Sequence, residues 1–351
     1  MTRRSRWFWL GCCWLAATSL QAAPPLLHGT LWWMPYLPPE SQERYAECIR
    51  QQRDVGFNWL WILNSPSLFQ KALQNEDAGK PYDPLEIVLR TADEKKMRVM
   101  VDLPPVGWCG KAKAEEVVDK VGRYAERFFA RYGKHPSFAA WYLNYEINPL
   151  TSDQREASQW WRKVWREEVA VCHHLAPHCF VSISPFFILD KKGQIAPYVA
   201  PNQYGQWWAE TLRETKIDVV MLQDSGAEHL AFFSRADREP FWRAMQAACR
   251  QAGCHFWLNV ESGELSLPNW EAYREYLARR RPETWQATPI DRLGPRLELA
   301  GRYAEEIVNW GYFPFAASAD GKPPTPQQAE AYRRYKAYRD QLTASPVPSG
   351  G

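Results

Sequence analysis

The stretch Phe138-Ala139-Ala140-Trp141-Tyr142-Leu143-Asn144-Tyr145-Glu146 decides the reading of this sequence. It runs apolar and aromatic and then turns polar, as a buried strand does where it leaves its sheet. Side chains alternate across a strand, so Tyr142, Asn144 and Glu146 share one face, and Trp141, Leu143 and Tyr145 the other. His255-Phe256-Trp257-Leu258-Asn259-Val260-Glu261 repeats the pattern, with Trp257, Asn259 and Glu261 on one face. In both stretches an Asn stands two residues before a Glu.

Working outward, strand candidates fall at 30–36, 57–64, 98–103, 138–146, 179–184, 217–224, 255–261 and 312–318. They are rich in aromatic and β-branched residues and bounded by turn formers. Helical spacing marks 41–52, 113–131, 153–174, 238–252, 296–309 and 327–341; in the second of these, Val117, Val118, Val121, Tyr124, Ala125 and Phe128 recur at helical spacing. Alternating strands and helices imply parallel neighbours with right-handed crossovers. Eight such repeats close most naturally into a single (β/α)8 TIM barrel of the α/β class. The main rival is a doubly wound open sheet. It wants a glycine-rich phosphate loop after the first strand, where this chain has Trp33-Met34-Pro35-Tyr36-Leu37-Pro38-Pro39.

The links from helix to strand are short. Long loops are expected after strands 2, 5 and 7, over 65–82, 185–202 and 262–289, the last with a small helix near 269–279. Barrel enzymes build their sites from the loops on that face.

The first residues read as a signal peptide, 1–22. Arg3, Arg4 and Arg6 precede a short apolar core, and Leu20-Gln21-Ala22 offers a small-residue cleavage site. The core is too short for a confident membrane span. Cleavage would leave one barrel domain over 23–344 and a Pro/Ser/Gly-rich tail, 345–351, expected to be disordered. The expected location is periplasmic or secreted. Removing three arginines cancels the formal charge of +3, so neither a nucleic-acid nor an anionic-membrane partner is expected. Six of the eight cysteines survive cleavage, in a compartment where disulfides form. Cys172 with Cys179 and Cys249 with Cys254 are expected to clip two turns, with Cys48 and Cys109 left to each other. No CxxC occurs, and no metal or organic cofactor is expected.

In a closed barrel, strands 4 and 7 lie across the mouth from one another, so Glu146 and Glu261 are placed to flank a glycosidic bond. Glu146 is read as acid/base and Glu261 as nucleophile. Taken singly, a Glu at a strand end is more often a cap or a solvated residue; the matching Asn partners raise the pair above that. Asn144 and Asn259 are read as hydrogen-bonding these carboxylates or the sugar hydroxyls. Asp224 at the end of strand 6 is read as a site carboxylate, although Asp224-Ser225-Gly226 is also turn chemistry. Asp102 and Glu264 follow as weaker acids; His229 could orient a carboxylate, but reads more simply as a lone exposed His at a helix start. Asn64 and Tyr142 complete the polar set.

Nineteen tryptophans exceed what a core of this size needs. Sugar rings pack their C–H faces on aromatic planes, so Trp33, Trp108, Trp207, Trp208 and Trp270 are candidate platforms, and Trp257 a candidate contact below Glu261. Many of the others belong to strands and helix faces, where packing explains them.

The run Gly133-Lys134-His135-Pro136-Ser137 leading into Phe138–Glu146 resembles the approach to the acid/base Glu in clan A glycoside hydrolases. The chain is still more similar to an uncharacterised bacterial family of glycoside-hydrolase-like barrels, through Trp141-Tyr142, Glu146 and the pair Gln223-Asp224. The resemblance implies an acid/base Glu ending strand 4 and a nucleophile Glu ending strand 7. It departs from the clan at Tyr145, where Asn is usual, and at Ala316-Ala317-Ser318, where a strand-eight Trp is usual. The expected activity is hydrolysis of a polysaccharide by a retaining two-carboxylate mechanism. The alternative is a carbohydrate-binding barrel without catalysis, or an accessory protein of polysaccharide export.

Overall fold

The structure is a computed structural model; it describes residues 25–105, 107, 109–148, 154–193, 197–224, 233–265, 267–279, 286–310 and 325–344. The strands are β1 (Gly29–Trp33), β2 (Trp59–Leu63), β3 (Arg98–Asp102), β4 (Phe138–Leu143), β5 (Phe180–Ile183), β6 (Val219–Gln223), β7 (His255–Asn259), β8 (Gly263–Glu264), β9 (Gln286–Ala287) and β10 (Ile307–Asn309). The helices are α1 (Glu43–Asp54), α2 (Ser65–Asp77), α3 (Pro84–Lys95), α4 (Ala114–Tyr132), α5 (Arg155–Leu175), α6 (Pro201–Thr215), α7 (Arg235–Ala252), α8 (Trp270–Arg279), α9 (Ile290–Ala300) and α10 (Pro326–Ala344).

Strands β1 to β7 and β10 form one closed parallel barrel, in the spatial order β1-β10-β7-β6-β5-β4-β3-β2. The chain is therefore a single (β/α)8 barrel. Two sets of apolar side chains build it. Outward residues such as Trp141, Leu143, Phe256 and Leu258 join the helices in the outer core. Inward residues fill the barrel itself: Leu31, Trp59, Trp61, Met100, Tyr142, Met221, Trp257 and Val308. Trp59, Trp257 and Phe180 meet with ring centroids 5.3–5.6 Å apart. Trp61 packs edge-on against Tyr142 at 4.9 Å. These interiors require a neighbour without a side chain: a Cβ on Gly29 would stand 2.6 Å from the Cβ of Trp59.

The helices follow their buried stripes. In α4, Val117, Val121, Ala125, Phe128 and Tyr132 all face inward, and Phe128 packs on Trp141 at 5.6 Å. Helix α7 begins in a capping box between Ser234 and Asp237. At the barrel floor, the Tyr335 hydroxyl of α10 accepts from Leu27 N at 2.8 Å, and Tyr338 donates to Pro25 O at 3.1 Å. Among the described residues no helix is long and apolar enough to cross a membrane.

Three expectations need correcting. The region after β2 is not a long loop, because α2 begins at Ser65 and α3 follows from Pro84. The eighth barrel strand is β10, not 312–318, which lies outside the described residues; α9 ends at Ala300 and Ile307-Val308 supply the β-branched pair. All six described cysteines are free thiols, so none of the three expected clips is present. Burial pushes the Cys48 thiol up to about 12, and Cys249 is raised by burial and then by the adjoining Cys254 thiol. The long links after β5 and β7 are as expected, the latter carrying the β8–β9 hairpin and α8.

Candidate active site

Each barrel strand delivers polar groups where its apolar run ends. Glu146 lies three residues past the end of β4 and is exposed; Glu261 lies two past β7 and is 3% exposed. A chain of contacts joins these two strand ends. Gln223, the last residue of β6, alternates inward with Met221 and Val219. Its Nε2 donates to Glu146 Oε1 and to Ser184 O, both at 3.1 Å. Asn259 Nδ2 donates to Ser184 Oγ at 3.0 Å, and Ser184 Oγ donates to Met221 O at 2.8 Å. The Asn259 Oδ1 is buried with no partner among the described residues. The ends of β4, β5, β6 and β7 are thus held together by side chains as well as by the sheet.

A second network lies at β2, β3 and β4. Asp102 accepts from Asn64 N (3.1 Å), Ser65 N (2.9 Å), Ser65 Oγ (2.6 Å) and Asn144 Nδ2 (3.3 Å). These donors favour the ionised form, yet burial outweighs them and pushes the Asp102 carboxyl up to about 6. Tyr142 lies buried in the layer beneath Asn144. Burial first, and then the negative charges of Glu146 and Asp102, hold its phenol far above the ordinary range.

The remaining candidates distribute unevenly. Trp33 is 58% exposed at the end of β1, open to a ligand. Asn64 takes a left-handed backbone (φ 75°) and spends its amide on Met34 O at 3.0 Å. Trp257 does not reach the mouth: it is packed between Trp59 and Phe180 in the barrel interior. Asp224 also departs from expectation. Val220 and Leu222 face the outer core, and Asp224 continues their parity. Its carboxylate pairs with Arg296 and accepts from Glu261 N at 3.3 Å, while its carbonyl takes Arg238 Nε at 2.8 Å. It ties β6 to β7 and to the helices rather than facing substrate. Glu264 is likewise committed, to Arg292. Trp207 and Trp208 are helix residues of α6, set against α5 through Ser158 and Trp165. Trp108 and His229 lie outside the described residues.

Residue-by-residue reading missed Ser184 and Trp310, and took Gln223 only from the family resemblance. Gln223 had a signal in its inward parity with Met221. Trp310 directly follows β10 and packs against the interior cluster. Trp310 is the residue that follows β10, upstream of Ala316-Ala317-Ser318.

Closed parallel topology with polar groups at the strand ends defines a (β/α)8 barrel with a polar mouth. It superimposes on a candidate alpha-L-fucosidase from Bacteroides thetaiotaomicron with a TM-score of 0.65 at 18% identity, covering 91% of this chain and 94% of that one. A beta-galactosidase from Marinomonas ef1 gives 0.56 at 12% identity, covering 91% and 60%. A GH10 endoxylanase from a sugarcane soil metagenome gives 0.51 at 13%, covering 90% and 97%. These likenesses establish the fold. The chain belongs to the DUF4434 family, a domain of unknown function, which matches residues 35–326. No curated protein matches the sequence.

Proposed function

We propose that this protein is an exported glycoside hydrolase that cleaves O-glycosidic bonds of a polysaccharide, either an exopolysaccharide or an envelope glycan. Glu146 acts as acid/base and Glu261 as nucleophile of a retaining reaction. The observation that carries this reading is the joining of the β4 and β7 ends through Gln223, Ser184 and Asn259, with one carboxylate just beyond each end. In the first step Glu146 protonates the leaving oxygen while Glu261 attacks the anomeric carbon. In the second, Glu146 takes a proton from water, which releases the sugar from Glu261. Asn144, held by Asp102, and exposed Trp33 serve sugar binding.

The test is a polysaccharide panel with reducing ends as readout. Glu146→Gln and Glu261→Gln should each abolish release while the protein stays folded, and early products should keep the anomeric configuration by NMR. Full activity in both variants would end the reading. N-terminal sequencing of the exported protein should begin at Ala23.

A carbohydrate-binding barrel without hydrolysis, or an accessory protein of polysaccharide export, is the second reading. The burial of Glu261 and the Tyr145 that stands where Asn is usual favour it. Glycan binding with no reducing-end release would select it.

A further inference from the structure

Helices α5 and α6 line a groove on the flank of the barrel with matching rows of side chains. On α5 the row is Arg155, Ser158, Gln159 and Arg162; on α6 it is Gln203, Gln206, Trp207 and Glu210. Both rows have the spacing i, i+3, i+4, i+7, which puts four side chains on one helix face. The groove has a volume of about 730 Å³. That is in the range of small-molecule sites. Seven residues of helix give it a length of about 10 Å. Tyr198, just ahead of α6, stands at the end nearer the barrel mouth. The ion pair of Arg162 with Glu210, at 3.2 Å, closes the other end.

The floor of the groove is held in place. Trp207 Nε1 donates to Ser158 Oγ at 3.1 Å, the Arg162 guanidinium lies 5.5 Å from the Trp207 ring centre, and Trp208 meets that ring edge-on at 4.9 Å. Arg162 is itself tied to Thr211 Oγ1 and Glu210. The Trp207 ring is thus fixed, yet it is only half-buried, as is Tyr198. The walls are different. Arg155, Gln159, Gln203 and Gln206 are exposed, and neither they nor the Tyr198 hydroxyl make a side-chain hydrogen bond or ion pair among the described residues. A ligand lying in the groove reaches them directly. With Arg162 and Glu210 neutralising each other, Arg155 is the one unpaired charge among the lining residues. Each of the three amides sets an NH2 donor beside a carbonyl acceptor, and adjacent hydroxyls of a sugar satisfy both. The aromatic rings take the C–H faces of the same sugar. A purely apolar ligand would leave the amides unserved, and a polyanion would find a single cation.

We propose that the groove between α5 and α6 is a second carbohydrate site, which binds a stretch of oligosaccharide apart from the barrel mouth. Gln159, Gln203 and Gln206 hold its hydroxyls, the exposed parts of Trp207 and Tyr198 bear its ring faces, and Arg155 serves the mouth-side end. This site goes beyond the sugar-cleaving reading and stands or falls without it.

The test is a printed array of neutral and acidic oligosaccharides, followed by calorimetric titration with the glycan that binds best. The protein probed carries Glu146→Gln and Trp33→Ala, so that turnover plays no part and the mouth has lost its exposed platform. Binding is expected. Adding Gln203→Ala and Gln206→Ala together should weaken it about tenfold or more, the effect of two lost hydrogen bonds. Both positions are exposed on a helix, where alanine is the best helix former, so the fold is kept. Arg155→Ala should weaken it by a smaller factor. Trp207 stays in place because it also packs on Trp208. A blank array, or affinity unchanged by the paired glutamine substitutions, overturns the proposal. A blank array together with a dimer in sedimentation that the same substitutions split would assign the groove to a second copy of the chain instead. Lack of hydrolysis by the parent protein leaves the binding result as it is, so failure of the cleavage reading and failure of the groove are told apart.

Discussion

Gln223 Nε2 stands 3.1 Å from Glu146 Oε1, and so the last residue of β6 holds the carboxylate that follows β4. The same amide reaches Ser184 O just past β5, so Glu146 is positioned by a neighbour that is itself fixed. An amide donor favours the ionised carboxyl. Gln223→Leu removes that donor with little change in volume. The expected outcome is a fall in kcat of about ten- to a hundredfold, the effect of one hydrogen bond to a charged group, together with a shift of the basic limb of the pH–rate profile to higher pH. A profile that does not move would mean that Gln223 leaves Glu146 untouched.

Asp102 is the hub of the other network: Asn64 N and Asn144 Nδ2 donate to one oxygen and Ser65 N and Oγ to the other, so one of these pairs meets an NH2 group when the carboxylate becomes an amide. Asp102→Asn should cost about 1–3 kcal/mol. It should also raise KM more than it lowers kcat, because Asn144 loses its anchor. Denaturant unfolding together with steady-state kinetics checks both halves; an unchanged KM would separate Asn144 from sugar binding.

Glu168 gives the clearest pH dependence. It is buried in the outer core behind β4, with Tyr145 as the donor to Oε1 at 3.3 Å and, among the described residues, no partner on Oε2. Burial pushes it up to about 8 from 4.5, with the Tyr145 bond opposing. A raised carboxyl stabilises the fold in its protonated form. That contribution is complete below about 4.5 and is lost as pH rises through about 8, a change on the order of a few kcal/mol. The melting temperature should therefore fall from pH 6 to pH 9 (roughly the upper part of that window), and Glu168→Gln should flatten the fall. A variant curve parallel to that of the parent protein would place the pH sensitivity elsewhere.

Trp59 carries much of the barrel interior. Its Nε1 donates to Glu306 at 2.7 Å, and the Arg98 guanidinium lies 3.9 Å from its ring centre. Trp59→Ala should cost about 3–5 kcal/mol, as large core deletions do. Denaturant titration measures it; a loss under about 1 kcal/mol would mean the cavity refills from Trp257 and Phe180.

The alternation of strand and helix was enough to read the barrel, because a closed parallel sheet buries both faces of every strand and leaves long apolar runs. The polar endings of β4 and β7 were legible for the same reason. The eighth strand was not: Ile307-Val308-Asn309 is short, and the chain before it continues a helical spacing from Leu297 to Ala304. Nor were α2, α3 and α6, in which Pro66, Pro84 and Pro201 start helices while reading as loop formers. Strand-end position misplaced Asp224, whose parity with Val220 and Leu222 already sets it behind the sheet, against Arg296. Trp257 was misjudged because an inward tryptophan is a sugar contact only in the uppermost layer.

The bonds from Leu27 to Tyr335 and from Tyr338 to Pro25 fasten the beginning of β1 to α10 on the face opposite Glu146 and Glu261. A lipid, bead or fusion partner attached ahead of Pro25 would hold the molecule by its base. The open end would then point outward, toward whatever polymer surrounds the anchoring surface.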